Sequence, residues 1–145
     1  MRPFMITAIA ILATSACMAQ TLEQPKAGSA LRKAVMDGLR PVFEKDLKQK
    51  VIFKVDEIRV VGDWSFVHVH PLQPNSKPID FRYTKYQEAE KEGMFDGDNS
   101  YALLKKVKGK WTVKEFAIGP TDVCWIDWMG KKHGAPNKVF PPLGG

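Results

Sequence analysis

VIFKVDEIRVVGDWSFVHVH, residues 51–70, is the stretch on which the fold turns. Its first half is dense in β-branched residues, Val51-Ile52-Phe53-Lys54-Val55 and then Ile58-Arg59-Val60-Val61. Such side chains pack well on a pleated surface and lose rotamer freedom in a helix. Gly62-Asp63 interrupts the run with two turn formers, after which Trp64-Ser65-Phe66-Val67-His68-Val69-His70 resumes it. The pattern predicts a β-hairpin with arms at 51–61 and 64–70.

Upstream, the period is helical. Leu31, Val35, Leu39, Val42, Phe43 and Leu47 line one stripe, with Arg32, Lys33, Asp37, Arg40, Glu44 and Lys48 elsewhere on the wheel, and Ser29 stands as an N-cap. Pro41 inside this segment is expected to kink or divide the helix, because its ring removes a donor and clashes with the preceding turn. Downstream, Ile79-Asp80-Phe81-Arg82-Tyr83 alternates and predicts a third strand. Thr84, Tyr86–Glu92 and Gly93 predict a short capped helix. Tyr101–Val107 and Trp111–Ile118, joined by Lys108-Gly109-Lys110, predict a second hairpin. With Thr121 as its N-cap, a short helix running to Met129 and ended by Gly130 is expected, and Gly134-Ala135-Pro136 with Phe140-Pro141-Pro142 reads as an extended tail.

One long amphipathic helix followed by an antiparallel meander of about five strands defines an α+β domain, in which a curved sheet wraps the helix. In element order, over residues 29–118, the chain resembles the NTF2-like and cystatin-like cone or roll architectures. That resemblance implies a domain which binds ligands or proteins, or which hosts a small enzyme, and it carries over no catalytic residue.

The amino end carries a different signal. Met1-Arg2, an apolar run from Phe4 to Ala13 and small residues through Ala19 make the charged, apolar and small-residue succession of a secretory signal peptide. Cys17 and Ala19 stand at the minus-three and minus-one positions of a cut before Gln20. The run is too short to cross a bilayer, which takes roughly 20 helical residues. Thr14-Ser15-Ala16 lacks the aliphatic residue that a lipidated Cys17 would need. The expected organisation is a signal peptide at 1–19, a polar leader at 20–28 and one domain at 29–143, periplasmic or secreted, with no integral membrane span.

The whole chain carries 22 Lys+Arg against 16 Asp+Glu, a formal charge of +6. Loss of Arg2 with the signal peptide lowers the excess by one. The charges are mostly interspersed and fit a solvated basic face; they are also compatible with an acidic partner or an anionic envelope surface. An exported chain without a recognisable nucleic-acid motif is not expected to bind nucleic acid. After cleavage Cys124 is the only cysteine, so no intrachain disulfide is expected.

Candidate binding residues are Trp64, Trp111, Trp125, Trp128, His68 and His70. Trp64 and Trp111 each begin the strand after a tight turn, so they could stack on a ligand at one end of the sheet or plug the end of the core. The area an indole buries favours the core. His68 and His70 project from one strand face and offer two imidazoles, but two ligands are not a site, and a third would have to come from elsewhere, such as His133, Asp80, Asp96 or Asp98. Neither metal nor cofactor is expected. Asp96-Gly97-Asp98-Asn99-Ser100 lacks the later glutamate of a calcium loop and reads as a turn.

GPTDVCWIDWMGKKHG, residues 119–134, admits two readings. Cys124 in a first helical turn with His133 as base would be a nucleophile; Cys124, Trp125 and Trp128 on one apolar face would be a clasp that closes an edge or mouth of the sheet. Asp122 and Asp127 would cap or pair with Lys131 or Lys132. No oxyanion loop surrounds the cysteine, and free cysteine is commonly buried, so the clasp is preferred. The expected function is a non-catalytic binding domain for an envelope or extracellular protein or a small apolar ligand. The alternative is a small NTF2-like hydrolase or isomerase with a pocket between helix and sheet, drawing on His68, His70, Asp80, Asp122 or Cys124. The sequence leaves oligomeric state and partner identity open.

Overall fold

The computed structural model describes residues 20–144; the expected signal peptide at 1–19 lies outside the described residues. The elements run β1 (Leu22–Glu23), α1 (Ala30–Leu47), β2 (Ile52–Val61), β3 (Trp64–Leu72), α2 (Gln87–Lys91), β4 (Ser100–Val107) and β5 (Lys110–Ile118), then 3-10 turns at Cys124–Trp128 and Asn137–Val139. The five strands form one antiparallel sheet in sequence order, which is not closed into a barrel. The class is α+β.

The 51–70 hairpin forms in the register that its turn dictates, from Val61 opposite Trp64 to Ile52 opposite Leu72. One bulge lies between Val55 and Glu57, where Asp56 is the extra residue. A second lies in the β4/β5 pair, between Leu103 and Leu104. Bulges bend a strand and strengthen its local twist.

α1 starts where Ser29 Oγ accepts a hydrogen bond from Arg32 N at 3.3 Å. Pro41 does not divide it. The helix runs unbroken from Ala30 to Leu47, and Pro41 sits on its exposed side, where solvent can take up the carbonyl that proline leaves without a donor. The opposite stripe, Val35, Met36, Leu39, Phe43 and Leu47, is buried against the sheet. Mid-helix Gly38 has a packing reason: a Cβ there would collide with the Trp111 carbonyl oxygen, so glycine lets α1 lie directly on β5.

Two corrections concern the strands. Residues 79–83 do not form one; a single bridge joins Leu72 to Pro78, and beyond it the backbone of Asp80 is served by the Gln49 side chain. Gln49 Nε2 donates to Asp80 O at 3.0 Å, and Asp80 N donates to Gln49 Oε1 at 3.3 Å. One glutamine amide thus takes the place of a neighbouring strand. Ile79 and Phe81 still turn into the core, with Phe95 edge-on to Phe81 and stacked on Tyr86 at 5.0 Å. The fifth strand comes instead from the polar leader, where Leu22 and Glu23 pair with Val61 and Val60.

The small helix also starts differently. Its N-cap is Tyr86 without a side-chain bond, while Thr84 Oγ1 accepts from Tyr86 N at 3.2 Å just ahead of it. Tyr86 then reaches α1, its hydroxyl donating to Asp46 Oδ2 at 2.5 Å. Burial and the Asp46 carboxylate together raise the phenol's pKa.

The sheet is covered on both faces. On the first, Ile58, Val60, Val67, Val69, Ala102, Leu104, Trp111 and Ile118 meet α1. On the second, Val61, Trp64, Phe66 and Leu103 meet Trp125, Trp128, Ala135, Val139 and Phe140 from the C-terminal segment. Consecutive Phe66-Val67 and Leu103-Leu104 are all fully buried because neighbours along a strand face opposite cores. The segment expected to close an edge or mouth therefore lies across part of a sheet face, over Val61, Trp64, Phe66 and Leu103.

Candidate functional site

The second sheet face has a dry end and a polar end. Trp125 packs edge-on to Phe66 at 5.7 Å and stacks on Phe140 at 6.2 Å, which fixes the dry end. Arg59, almost fully buried, ties the tail down: Nε donates to Val139 O and Nη2 to Lys138 O, both at 3.0 Å, while Nη1 bonds Glu57 Oε1 at 3.2 Å. The guanidinium fork suits this job because it serves two carbonyls and a carboxylate at once.

Past Phe66 the same strand face turns polar. His68 and His70 follow at the two-residue interval, and His68 lies flat on Tyr101, rings 4.5 Å apart at 16°. His68 Nε2 is 2.5 Å from Asn99 Oδ1 and 4.0 Å from Asp56 Oδ2. His70 is held at both nitrogens, Nε2 by Asp56 Oδ2 at 2.7 Å and Nδ1 by Asp98 Oδ1 at 2.9 Å. Partial burial works against its charge, but the bonds to Asp98 and Asp56 outweigh that cost and lift the His70 pKa above the ordinary imidazole value. The Asp56 carboxyl is held below its usual range, first by its hydrogen bond to His70.

Each member is positioned by a separate element. β3 supplies the histidines, the β2 bulge supplies Asp56, and the turn at 96–99 before β4 supplies Asp98 and Asn99. That turn is fastened to the end of β5, with Asp96 N donating to Gly119 O at 2.9 Å and Gly119 N donating to Asn99 O at 2.7 Å. Of the sequence candidates for a third partner, Asp98 joins the histidines. Asp80 pairs with Arg82 at 2.9 Å, and His133 with Glu115 at 2.7 Å. Asp56 carried no sequence signal except its place inside an otherwise regular strand.

The four tryptophans are all buried, from 5 to 8 % exposed. Trp64 and Trp111 stand near the same end of the sheet, opposite Lys105 and Lys106, but on opposite faces, so they form no shared platform. Cys124 starts a 3-10 turn whose N-cap is Val123, not the expected Thr121. Its half-buried thiol is pushed up to about 11, by burial first and then by the Asp122 carboxylate. His133 Nε2 and Lys132 Nζ both bind Glu115, and among the described residues no hydrogen bond joins His133 to the Cys124 sulfur; Lys132 thus pairs with Glu115 in place of the expected Asp122 or Asp127. The Glu115 carboxyl titrates below its ordinary value: burial opposes this, and the bonds to Lys132 and His133 prevail.

Fold and site together define a small α+β domain with a double-sided core and a histidine–carboxylate cluster at one end of its second face. The chain matches no protein-family model, and comparisons with the curated proteins and the solved structures give no match either. Among the described residues no helix is long and apolar enough to cross a membrane.

Proposed function

We propose that this chain is an exported, non-catalytic binding domain, periplasmic or secreted after loss of residues 1–19, that recognises an envelope or extracellular protein or a small apolar ligand. A cone or roll of the NTF2-like or cystatin-like kind is the architecture this reading implies. The observation that carries it is the filling of the space between α1 and the sheet. Phe43 contacts Phe53 edge-on at 5.3 Å and Phe116 at 5.6 Å there, and Leu39, Leu104 and Trp111 complete the packing. An enzyme working between helix and sheet needs a pocket with convergent polar groups at that place. His68 and His70 lie on the other face of the sheet.

A groove of about 400 Å³ runs beside this core, lined by Ala34, Asp37, Gly38, Pro41, Gly109, Lys110 and Trp111. Its lining is mostly Ala, Gly, Pro and Trp, which suits a small apolar ligand. The test is a pull-down from envelope extract with the 20–145 protein, joined to native mass spectrometry for retained ligands and intact mass of exported material. A saturable partner or a co-purifying ligand, on a chain beginning at Gln20, is expected. A mature species that retains Arg2, or one that stays in the cytoplasm, overturns the cleavage-and-export reading, and turnover of a substrate library overturns the non-catalytic one.

A further inference from the structure

We propose that Asp56, His68 and His70 form a binding site for one divalent transition cation of the zinc class, with Asp98 orienting His70. The site stands apart from the proposed binding function and does not rest on it.

Two imidazoles and one carboxylate are the donor set of borderline cations such as Zn²⁺, whereas Ca²⁺ and Mg²⁺ prefer sites made of oxygen alone. One donor atom from each of the three residues lies within 4.8 Å of the other two. Bonds of about 2.0–2.1 Å in tetrahedral geometry hold neighbouring donors roughly 3.3 Å apart. Asp56 Oδ2 stands 2.7 Å from His70 Nε2 and 4.0 Å from His68 Nε2, on either side of that spacing, and with every donor pair within 4.8 Å, side-chain shifts of about 1 Å bring all three onto one centre.

The surroundings fit a metal ligand set better than a bare ion pair. A ligating histidine characteristically donates its other ring N–H to a carboxylate, which fixes the tautomer and strengthens the ligand. Asp98 does this at His70 Nδ1 and leaves Nε2 aimed at Asp56. The β2 bulge puts two residues, Asp56 and Glu57, opposite His68, and the second is drawn away to Arg59. His68 is braced by the Tyr101 ring and cannot swing without losing that stack. A cation entering here takes the place of the His70 Nε2 proton, which is released to solvent, while His68 gives up its Nε2 proton and takes the Nδ1–H tautomer as Asn99 Oδ1 yields its contact.

The chain has only three histidines, which makes the test clean. Tag-free 20–145 protein is titrated with ZnCl₂ by calorimetry, and the complex is weighed by native mass spectrometry. One zinc per chain is expected. Asp98→Asn should weaken binding about 10- to 100-fold, as loss of an orienting partner does, and His70→Ala and His68→Ala by more. His133→Gln should leave it unchanged, and excess CaCl₂ should not compete. Cobalt substitution should give the intense visible bands of a four-coordinate site, lost in Asp56→Asn. Asp56 is partly exposed, so that variant is expected to keep the fold if a histidine variant does not. Absence of stoichiometric zinc, equal binding of calcium, or zinc binding that survives Asp56→Asn but not His133→Gln would overturn the proposal.

Discussion

Replacing Trp125 by alanine removes the ring that joins the tail to the sheet. An indole buries roughly 200 Å², which at about 25 cal/mol per Å² is worth about 5 kcal/mol as an upper estimate. Measured large-to-small aromatic truncations cost roughly 3–5 kcal/mol, and Trp125, 8 % exposed between Phe66 and Phe140, should lose about 4 kcal/mol. With a urea dependence of about 1.5 kcal/mol per molar, the unfolding midpoint falls by roughly 2.5 M. Far-UV circular dichroism is the suitable probe, because the mutation itself changes tryptophan fluorescence. Phe140→Ala and the double variant complete a cycle. The near-parallel stack of Trp125 on Phe140 predicts a coupling of about 1 kcal/mol, so the double variant loses less than the sum of the singles. A midpoint within about 0.5 M of wild type would mean that the tail does not seat on the sheet, and the double-sided core would be refuted.

Gly38→Ala should destabilise the domain even though alanine is the better helix former by about 1 kcal/mol, since the added methyl meets the Trp111 carbonyl; a raised melting temperature would refute the close approach of α1 to β5. Cys124→Ala should fold nearly as well as wild type, and the native thiol should resist iodoacetamide at about pH 8 and react freely once unfolded; fast native labelling would contradict a pKa of about 11. Glu115 has a folded pKa below its unfolded value, so its contribution to stability is full above the unfolded pKa and is lost as pH falls through the folded one. The stability gap between wild type and Glu115→Gln should therefore close on acidification from about pH 7 toward about pH 3, and a gap that does not change would show that the bonds to Lys132 and His133 do not form.

By itself the sequence determined the elements whose signal is local. Apolar residues recur with helical period over 30–47 behind a serine cap, the 51–70 run breaks at Gly62-Asp63, and the 101–118 run breaks at Lys108-Gly109-Lys110; the helix and both hairpins formed, although Pro41 did not divide the helix. Tertiary structure decided what depends on distant partners. Residues 79–83 have a strand's alternation but find a glutamine side chain where a strand should be, while Leu22 and Glu23 are too few to show a period and still pair with β2. A hint of the second core was present in Phe66-Val67 and Leu103-Leu104, since adjacent large apolar residues on a strand need cover on both faces; what supplies that cover lies far along the chain, at Trp125 and Phe140. The same holds for the polar cluster. The interval between His68 and His70 shows that two imidazoles share a face, but only the bulge at Asp56 and the anchored turn at Asp98 bring carboxylates to them, because convergence of side chains from three elements is a property of packing and not of spacing along the chain.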